Sequence, residues 1–180
     1  KYSDKIERYS IDECFIDYTD SVKLFGDPLD IAYKIKNDIK EILGFTVNVG
    51  VGNNKLCAKM ASDFSKPDKV HTLFSDEIEQ KMWPLPVTDL FMIGKKTSEK
   101  LINLGIKTIY DLANTDEDML VKIFKSMGKM MHEYANGIDN SLVEYEYAGP
   151  KSISSSSVLP YDCDNKEELL KVVRSLSIDV

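Results

Sequence analysis

Hydrophobic and polar positions along this chain change period several times, and each change predicts an element. The run Ile6-Glu7-Arg8-Tyr9-Ser10-Ile11-Asp12-Glu13-Cys14-Phe15-Ile16-Asp17 reads as strand. A bend at Glu13-Cys14 would fold it into a hairpin with arms Ile6 to Ile11 and Phe15 to Tyr18. After Pro28, the residues Leu29, Ile31, Ala32, Ile35, Ile39, Ile42 and Leu43 form a stripe at helical spacing that ends at Gly44. Phe45 to Gly52 alternates with period two and predicts a strand, followed by a helix from about Asn54, a turn at Lys66-Pro67-Asp68-Lys69 and a strand from Val70 to Phe74. Strands and helices interleaved in this way predict an α+β fold, a sheet with helices packed on one face.

From Ser75 onward the strand signals stop. Helical segments are predicted at Val87 to Phe91, Lys96 to Leu104, Thr108 to Ala113, Glu117 to Phe124 and Met127 to Asn136, with Gly105 and Gly137 at the positions where a left-handed residue ends a helix. Tyr145 to Pro150 reads as a linker and Lys151 to Leu159 as a strand. A last amphipathic helix, capped by Asp164, runs toward Val180. The expected division is therefore residues 1–83 mixed α+β, 84–144 a small all-helical unit and 145–180 a linker with the start of a further domain. A first residue that is lysine, and one strand with one helix at the end, read as cuts from a longer protein.

Composition narrows the picture. With 43% hydrophobic residues in 180, the chain can bury a core. No apolar run approaches membrane-spanning length. Cys14, Cys57 and Cys163 are odd in number and widely spaced, which argues against a disulfide framework or a structural zinc site and favours a reducing compartment. His71 and His132 stand apart from each other and from any cysteine, so neither is given a role. The net charge of −7 counts against nucleic-acid binding unless charge is segregated, and lysines do cluster at Lys95, Lys96 and Lys100 and at Lys122, Lys125 and Lys129. Such runs are more often solvated faces.

Asp12 and Glu13 are the first candidate chemistry. Adjacent carboxylates in a half-buried strand repel and lose hydration, an arrangement a divalent cation relieves; the alternative is a solvated turn with two surface acids. Side chains alternate along a strand, so both acids reach one site only at a bend.

Three ordered motifs decide between these readings: Ser10-Ile11-Asp12-Glu13, then Asn53-Asn54-Lys55-Leu56-Cys57-Ala58-Lys59-Met60-Ala61-Ser62-Asp63-Phe64-Ser65-Lys66-Pro67, then Met92-Ile93-Gly94-Lys95-Lys96-Thr97. Together they resemble the Y family of translesion DNA polymerases, most strongly its DinB and UmuC branches, from mid-palm through the thumb to the opening of the little finger at Lys151-Ser152-Ile153. The resemblance implies palm for 1–83, thumb for 84–144 and a truncated little finger for 145–180. It implies template-directed nucleotidyl transfer opposite damaged DNA with two Mg2+ ions, Asp12 bridging both and Glu13 binding the ion at the primer terminus. A third family aspartate lies upstream of Lys1, so this segment alone is expected to be inactive.

By the same resemblance Lys66 contacts the incoming deoxynucleoside triphosphate, and Lys55 and Lys59 share its motif without a firm role. Ile93, Gly94, Lys95 and Lys96 form a helix-hairpin-helix that holds a phosphate of primer-template DNA through backbone amides; an ordinary αα-hairpin is the plain alternative. Met92 stands where the family has glycine, which implies an altered hairpin or a right-handed residue, and Lys69 is a second such departure. A sliding clamp is implied as a partner through residues outside the chain, and a cytoplasmic location in a bacterium, to which the near-exclusive use of lysine over arginine also hints. The rival function is a non-catalytic DNA-binding or scaffolding relative acting in DNA repair.

Overall fold

The computed structural model describes residues 1–146, 149 and 152–180. It opens with an antiparallel hairpin, β1 (Ile6–Arg8) and β2 (Cys14–Ile16), in the register Ile6 to Ile16 and Arg8 to Cys14. The connecting turn differs from the expected bend. Tyr9 and Ser10 both donate their N–H to the Glu13 carbonyl, at 3.0 and 3.1 Å, so the chain reverses across Ser10–Glu13 and Glu13-Cys14 is already the return arm.

A single turn, α1 (Val22–Phe25), precedes the long helix α2 (Pro28–Leu43). Asp27 caps α2 by accepting from the Leu29 N–H, Pro28 occupies its first turn, and Gly44 ends it at φ 77° with its N–H on the Lys40 carbonyl. Pro28 and Gly44 bound the helix where the sequence pattern placed its ends.

Next come β3 (Val49–Gly52), α3 (Lys55–Asp63) and β4 (Val70–Leu73), a parallel pair joined through a helix. The two ladders are separate two-stranded sheets among the described residues, rather than one continuous sheet. Gly50 and Gly52 let α3 sit on β3: a Cβ on Gly50 would lie 1.9 Å from the Ala58 carbonyl oxygen, and one on Gly52 2.7 Å from the Cys57 Cβ. The strand expected from Phe45 starts only at Val49. Asn48 instead spends its side chain on the last turn of α3 and the segment after it, donating to the Ser62 and Ser65 carbonyls and accepting from the Lys69 N–H.

The helical half contains α4 (Ile78–Lys81), a single 3-10 turn at Val87–Asp89 where a longer helix was expected, α5 (Lys95–Asn103), α6 (Ile109–Ala113), α7 (Glu117–Phe124) and α8 (Ser126–Ala135). Thr108 and Asp111 form a reciprocal capping box on α6, and Asp116 caps α7. Gly105 and Gly137 take positive φ, as their sequence positions predicted. The segment Trp83 to Val87 is laced to Lys107 to Tyr110 by three backbone hydrogen bonds, with an antiparallel bridge between Pro86 and Thr108. One buried cluster runs through Leu56, Met60 and Leu73 into Met82, Leu101, Leu112, Leu120 and Met131, so α3 and β4 share a core with the helices.

Contacts divide the chain into Lys1–Tyr145 and Glu146–Val180. The second unit holds α9 (Lys166–Ile178), whose cap is Asn165, not Asp164: its side chain accepts from the Glu167 and Glu168 N–H groups. Ser152 to Leu159 is not strand, because nothing among the described residues pairs with it and four consecutive serines give it no apolar face. Tyr147, Ala148, Pro150 and Lys151, parts of the expected linker and strand, lie outside the described residues.

Candidate active site and DNA-contact hairpin

Asp12 sits on the hairpin turn and is exposed, as is its neighbour Ile11. The half-buried strand that would have penalised both acids is therefore absent; the turn keeps Asp12 hydrated, and Glu13 is half-buried. Ser10 organises the turn, its hydroxyl donating to Asp12 Oδ1 at 2.8 Å. Glu13 points elsewhere, toward α3, where Lys59 Nζ lies 2.6 Å from its Oε1.

That contact begins a line of alternating charge along α3. Lys59 also pairs with Asp63 at 3.0 Å, one helical turn on, and Asp63 pairs with Lys66 at 2.7 Å. Glu13, Lys59, Asp63 and Lys66 thus connect the turn of the hairpin to the lysine before Pro67. Burial opposes the charge on Lys59, yet hydrogen bonds to Glu13 and Asp63 outweigh it and hold its ammonium above the usual lysine range. Burial likewise pushes the Asp63 carboxyl up, and hydrogen bonds from Lys66 and Lys59 more than reverse that, leaving it below the usual carboxylate range.

Lys55, the other lysine of the motif, is committed differently. Its ammonium lies 2.8 and 2.7 Å from the two Glu7 oxygens, 3.3 Å from the Leu142 carbonyl and 5.0 Å from the centre of the Phe15 ring. Glu7 also accepts the Glu144 N–H at 2.8 Å. Lys55 therefore ties hairpin, helix and the segment around Leu142 together.

The loop into α5 carries the other expected contact. Met92 adopts φ 70°, the left-handed conformation that glycine favours, so the hairpin keeps its turn without the glycine and the right-handed alternative is not taken. Its side chain stays exposed, which leaves the strain confined to the backbone. Ile93 is the exception among the residues expected to touch phosphate: its side chain is buried and its N–H donates to the Leu90 carbonyl at 3.0 Å. Gly94 begins α5 in extended conformation and its carbonyl receives Thr97 and Ser98. Among the described residues the Gly94, Lys95 and Lys96 amides meet no intramolecular acceptor, and the side chains of Lys95 and Lys96 are exposed without an acidic partner.

Family comparison supplies an independent reading of the same stretches. Residues 1–63 match the impB/mucB/samB family, and residues 75–106 match the helix-hairpin-helix motif of that family. The chain is 48% identical over 176 residues to DNA polymerase IV of Clostridium acetobutylicum, covering 98% of this chain and 44% of the relative. The chain belongs to the Y family, DinB type. It is also 40% identical to DNA polymerase IV 2 of Bacillus subtilis, over 96% of this chain and 43% of the relative. Among solved structures, a Y-family polymerase chimera, Dbh-Dpo4(243-245)-Dbh, superposes with a TM-score of 0.79 at 29% identity, covering 99% of this chain and 52% of that one. The insertion ternary complex of Dbh DNA polymerase gives 0.67 at 28% identity, covering 99% and 53%. The chain spans less than half the length of these curated relatives.

Two carboxylates that tie these elements together carry no expectation from the sequence. Asp63 lies inside the quoted motif, and its i, i+4 spacing from Lys59 and i, i+3 spacing to Lys66 were the available signal. Glu7 has its partner 48 residues away, so no local spacing could reveal it.

Proposed function

We propose that this chain is the palm and thumb of a DinB-type translesion polymerase, residues 1–83 and 84–144, with 145–180 opening the little finger. The observation that carries this reading is the charge line along α3, which joins Glu13 to Lys66 although 53 positions separate them in the sequence. A carboxylate pair suited to a divalent cation and a lysine suited to phosphate then belong to one site.

Asp12 and Glu13 fit magnesium in part. Magnesium is commonly held by one or two carboxylates with phosphate oxygens and water completing its shell; the exposed Asp12 carboxylate meets that need directly, whereas Glu13 would first have to leave Lys59. Among the described residues no third acid, histidine or cysteine joins them, so the set suits ions shared with a substrate rather than a closed protein cage. Two Mg2+ ions there would supply Lewis acidity at the attacking hydroxyl and charge compensation at the leaving diphosphate.

The chain's own residues do the positioning. Ser10 orients the Asp12 carboxylate, Lys66 donates to triphosphate oxygens of an incoming deoxynucleotide, and the free amides of Gly94, Lys95 and Lys96 hold a phosphate of primer-template DNA with no base readout. A sliding clamp, engaged through residues beyond this chain, and the bacterial cytoplasm complete the proposed setting. A non-catalytic scaffolding relative would not need Asp12 and Glu13, and both are present.

The experiment is a transplant. This segment replaces its counterpart in the Clostridium acetobutylicum relative, and primer extension past a damaged template base is measured. Template-directed extension by the chimera supports the reading; a folded chimera that binds primer-template but adds no nucleotide contradicts it.

A further inference from the structure

Four side chains on three elements form an unbroken sequence of opposite charges: Glu13 on the hairpin turn, Lys59 and Asp63 on α3, Lys66 on the following turn. Their surroundings are unequal. Lys59 is only 15% exposed and cannot retreat into solvent, whereas Lys66 is 62% exposed and can. Lys59 is the only cation paired with Glu13 among the described residues. A ligand arriving at either end must therefore break into a pair that is already satisfied.

We propose that Lys59 and Asp63 form a charge-exchange couple, making cation capture at Glu13 and phosphate capture at Lys66 reinforce each other. The proposal rests on the reading of Asp12 and Glu13 as cation ligands. In the ligand-free chain the four charges cancel in two outer pairs. A divalent cation at Glu13 displaces the Lys59 ammonium, which stays near Asp63 and competes with Lys66 for that carboxylate. Lys66 is thereby released toward phosphate. In the other direction, a phosphate that withdraws Lys66 leaves Asp63 to hold Lys59 alone, which loosens Lys59 from Glu13 and opens it to the cation. With both ends occupied, Lys59 and Asp63 remain as a self-neutral i, i+4 pair, so no buried charge is left uncompensated. Such coupling is reciprocal by necessity. Lys59 and Asp63 are positioning residues here, acting through Glu13 and Lys66.

The couple predicts opposite signs for two substitutions in one helix. Binding of Mn2+ to the 180-residue chain is measured by electron paramagnetic resonance, with thermal melts confirming that each variant folds. Lys59→Met, which keeps the buried stem and removes the competing ammonium, tightens Mn2+ binding by roughly 5- to 20-fold. Asp63→Asn weakens it, because Lys59 then pairs with Glu13 alone, and loses most of that effect when combined with Lys59→Met. A second measurement follows Lys66 directly: its acetylation rate, mapped by mass spectrometry, rises severalfold with Mn2+ in the wild-type chain and stays unchanged in Lys59→Met.

Weakening by both substitutions, additive effects, or an absence of Mn2+ binding in Lys59→Met as well as wild type overturns the couple. Asp12→Asn separates this from the parent reading. If Asp12→Asn leaves Mn2+ affinity unchanged, the cation site itself is misplaced; if it abolishes binding while Lys59→Met fails to tighten it, only the couple fails.

Discussion

Lys36 Nζ lies 2.7 Å from Asp68 Oδ1, and Lys40 Nζ meets the other oxygen at 2.6 Å, so α2 grips the turn that carries Lys66 from beneath. Asp68 holds a left-handed conformation, φ 60°, uncommon outside glycine though aspartate is among the residues that adopt it more readily. Hydrogen bonds from Lys36 and then Lys40 keep the Asp68 carboxyl below its ordinary range. Asp68→Ala is expected to lower the melting temperature by roughly 2–5 °C and to speed amide exchange across residues 65–69. Lys40→Ala, at the more exposed partner, should shift melting by less than about 1 °C. Equal effects of the two would contradict the assignment of Lys36 as the main anchor.

The left-handed Met92 gives a second prediction. Glycine relieves the backbone at φ 70° while adding freedom to the unfolded chain, so Met92→Gly should be neutral or stabilise by up to about 1 kcal/mol. Met92→Val, β-branched and ill-suited to that region, should cost at least about 1 kcal/mol. Urea denaturation of the two variants distinguishes this loop from one in right-handed conformation, where valine would be tolerated.

Much of the fold was open to a reader of the sequence because its signals are local. Asp27, Pro28 and Gly44 bound α2, Asn54 caps α3, and the helical pieces after Lys95 begin and end within a residue or two of their pattern. What escaped depends on distant partners. The strand begins only at Val49 because Asn48 reaches across to Ser62 and Ser65, and α9 starts one residue late because Asn165, not Asp164, meets the first free amides. The candidate site divides the same way: Asp12, Glu13, Lys66 and Gly94 stand in recognisable motifs, whereas the pairing of Glu13 with Lys59 required the hairpin to meet α3.

Glycine packing offers a sharp contrast. Gly50→Ala places a methyl 1.9 Å from the Ala58 carbonyl oxygen, and Gly128→Ala places one 2.2 Å from the Leu120 carbonyl oxygen where α7 and α8 meet. Each should cost at least about 3 kcal/mol or prevent folding. A Cβ on Gly94 meets nothing within 4 Å, so Gly94→Ala should change stability by less than about 0.5 kcal/mol. Any loss of duplex binding in Gly94→Ala would then be read without a folding defect.

Stability should depend on pH at both extremes. Glu7, Asp63 and Asp111 all titrate below their ordinary values in the folded chain. Their contribution is complete above the unfolded carboxylate value, about 4 to 4.5, and is lost as pH falls through the depressed folded values. Lys59 is raised, so its contribution is complete below the unfolded lysine value, about 10.4, and is lost as pH rises through the folded one. The urea midpoint should be flat from about pH 5.5 to 9.5 and fall outside those limits. A midpoint still rising from pH 4 to pH 3 would contradict the carboxylate pairing.

Lys95 and Lys96 are exposed beside free helix amides, so their replacement by alanine in the chimera should weaken duplex binding about equally for all sequences. The log-log salt dependence should flatten by roughly one unit per lost phosphate contact. Unchanged affinity and slope would return the motif to an ordinary αα-hairpin.

The central claim is that Asp12 and Glu13 hold the cations of nucleotidyl transfer, and single-nucleotide incorporation by the chimera tests it most directly. Asp12→Asn and Glu13→Gln change shape little but remove the charge a cation needs. Each is expected to lower the incorporation rate by at least about a thousandfold, more than 4 kcal/mol of barrier, while primer-template affinity stays within about twofold. Incorporation at the unmodified rate by the Asp12→Asn, Glu13→Gln double variant would contradict the claim outright.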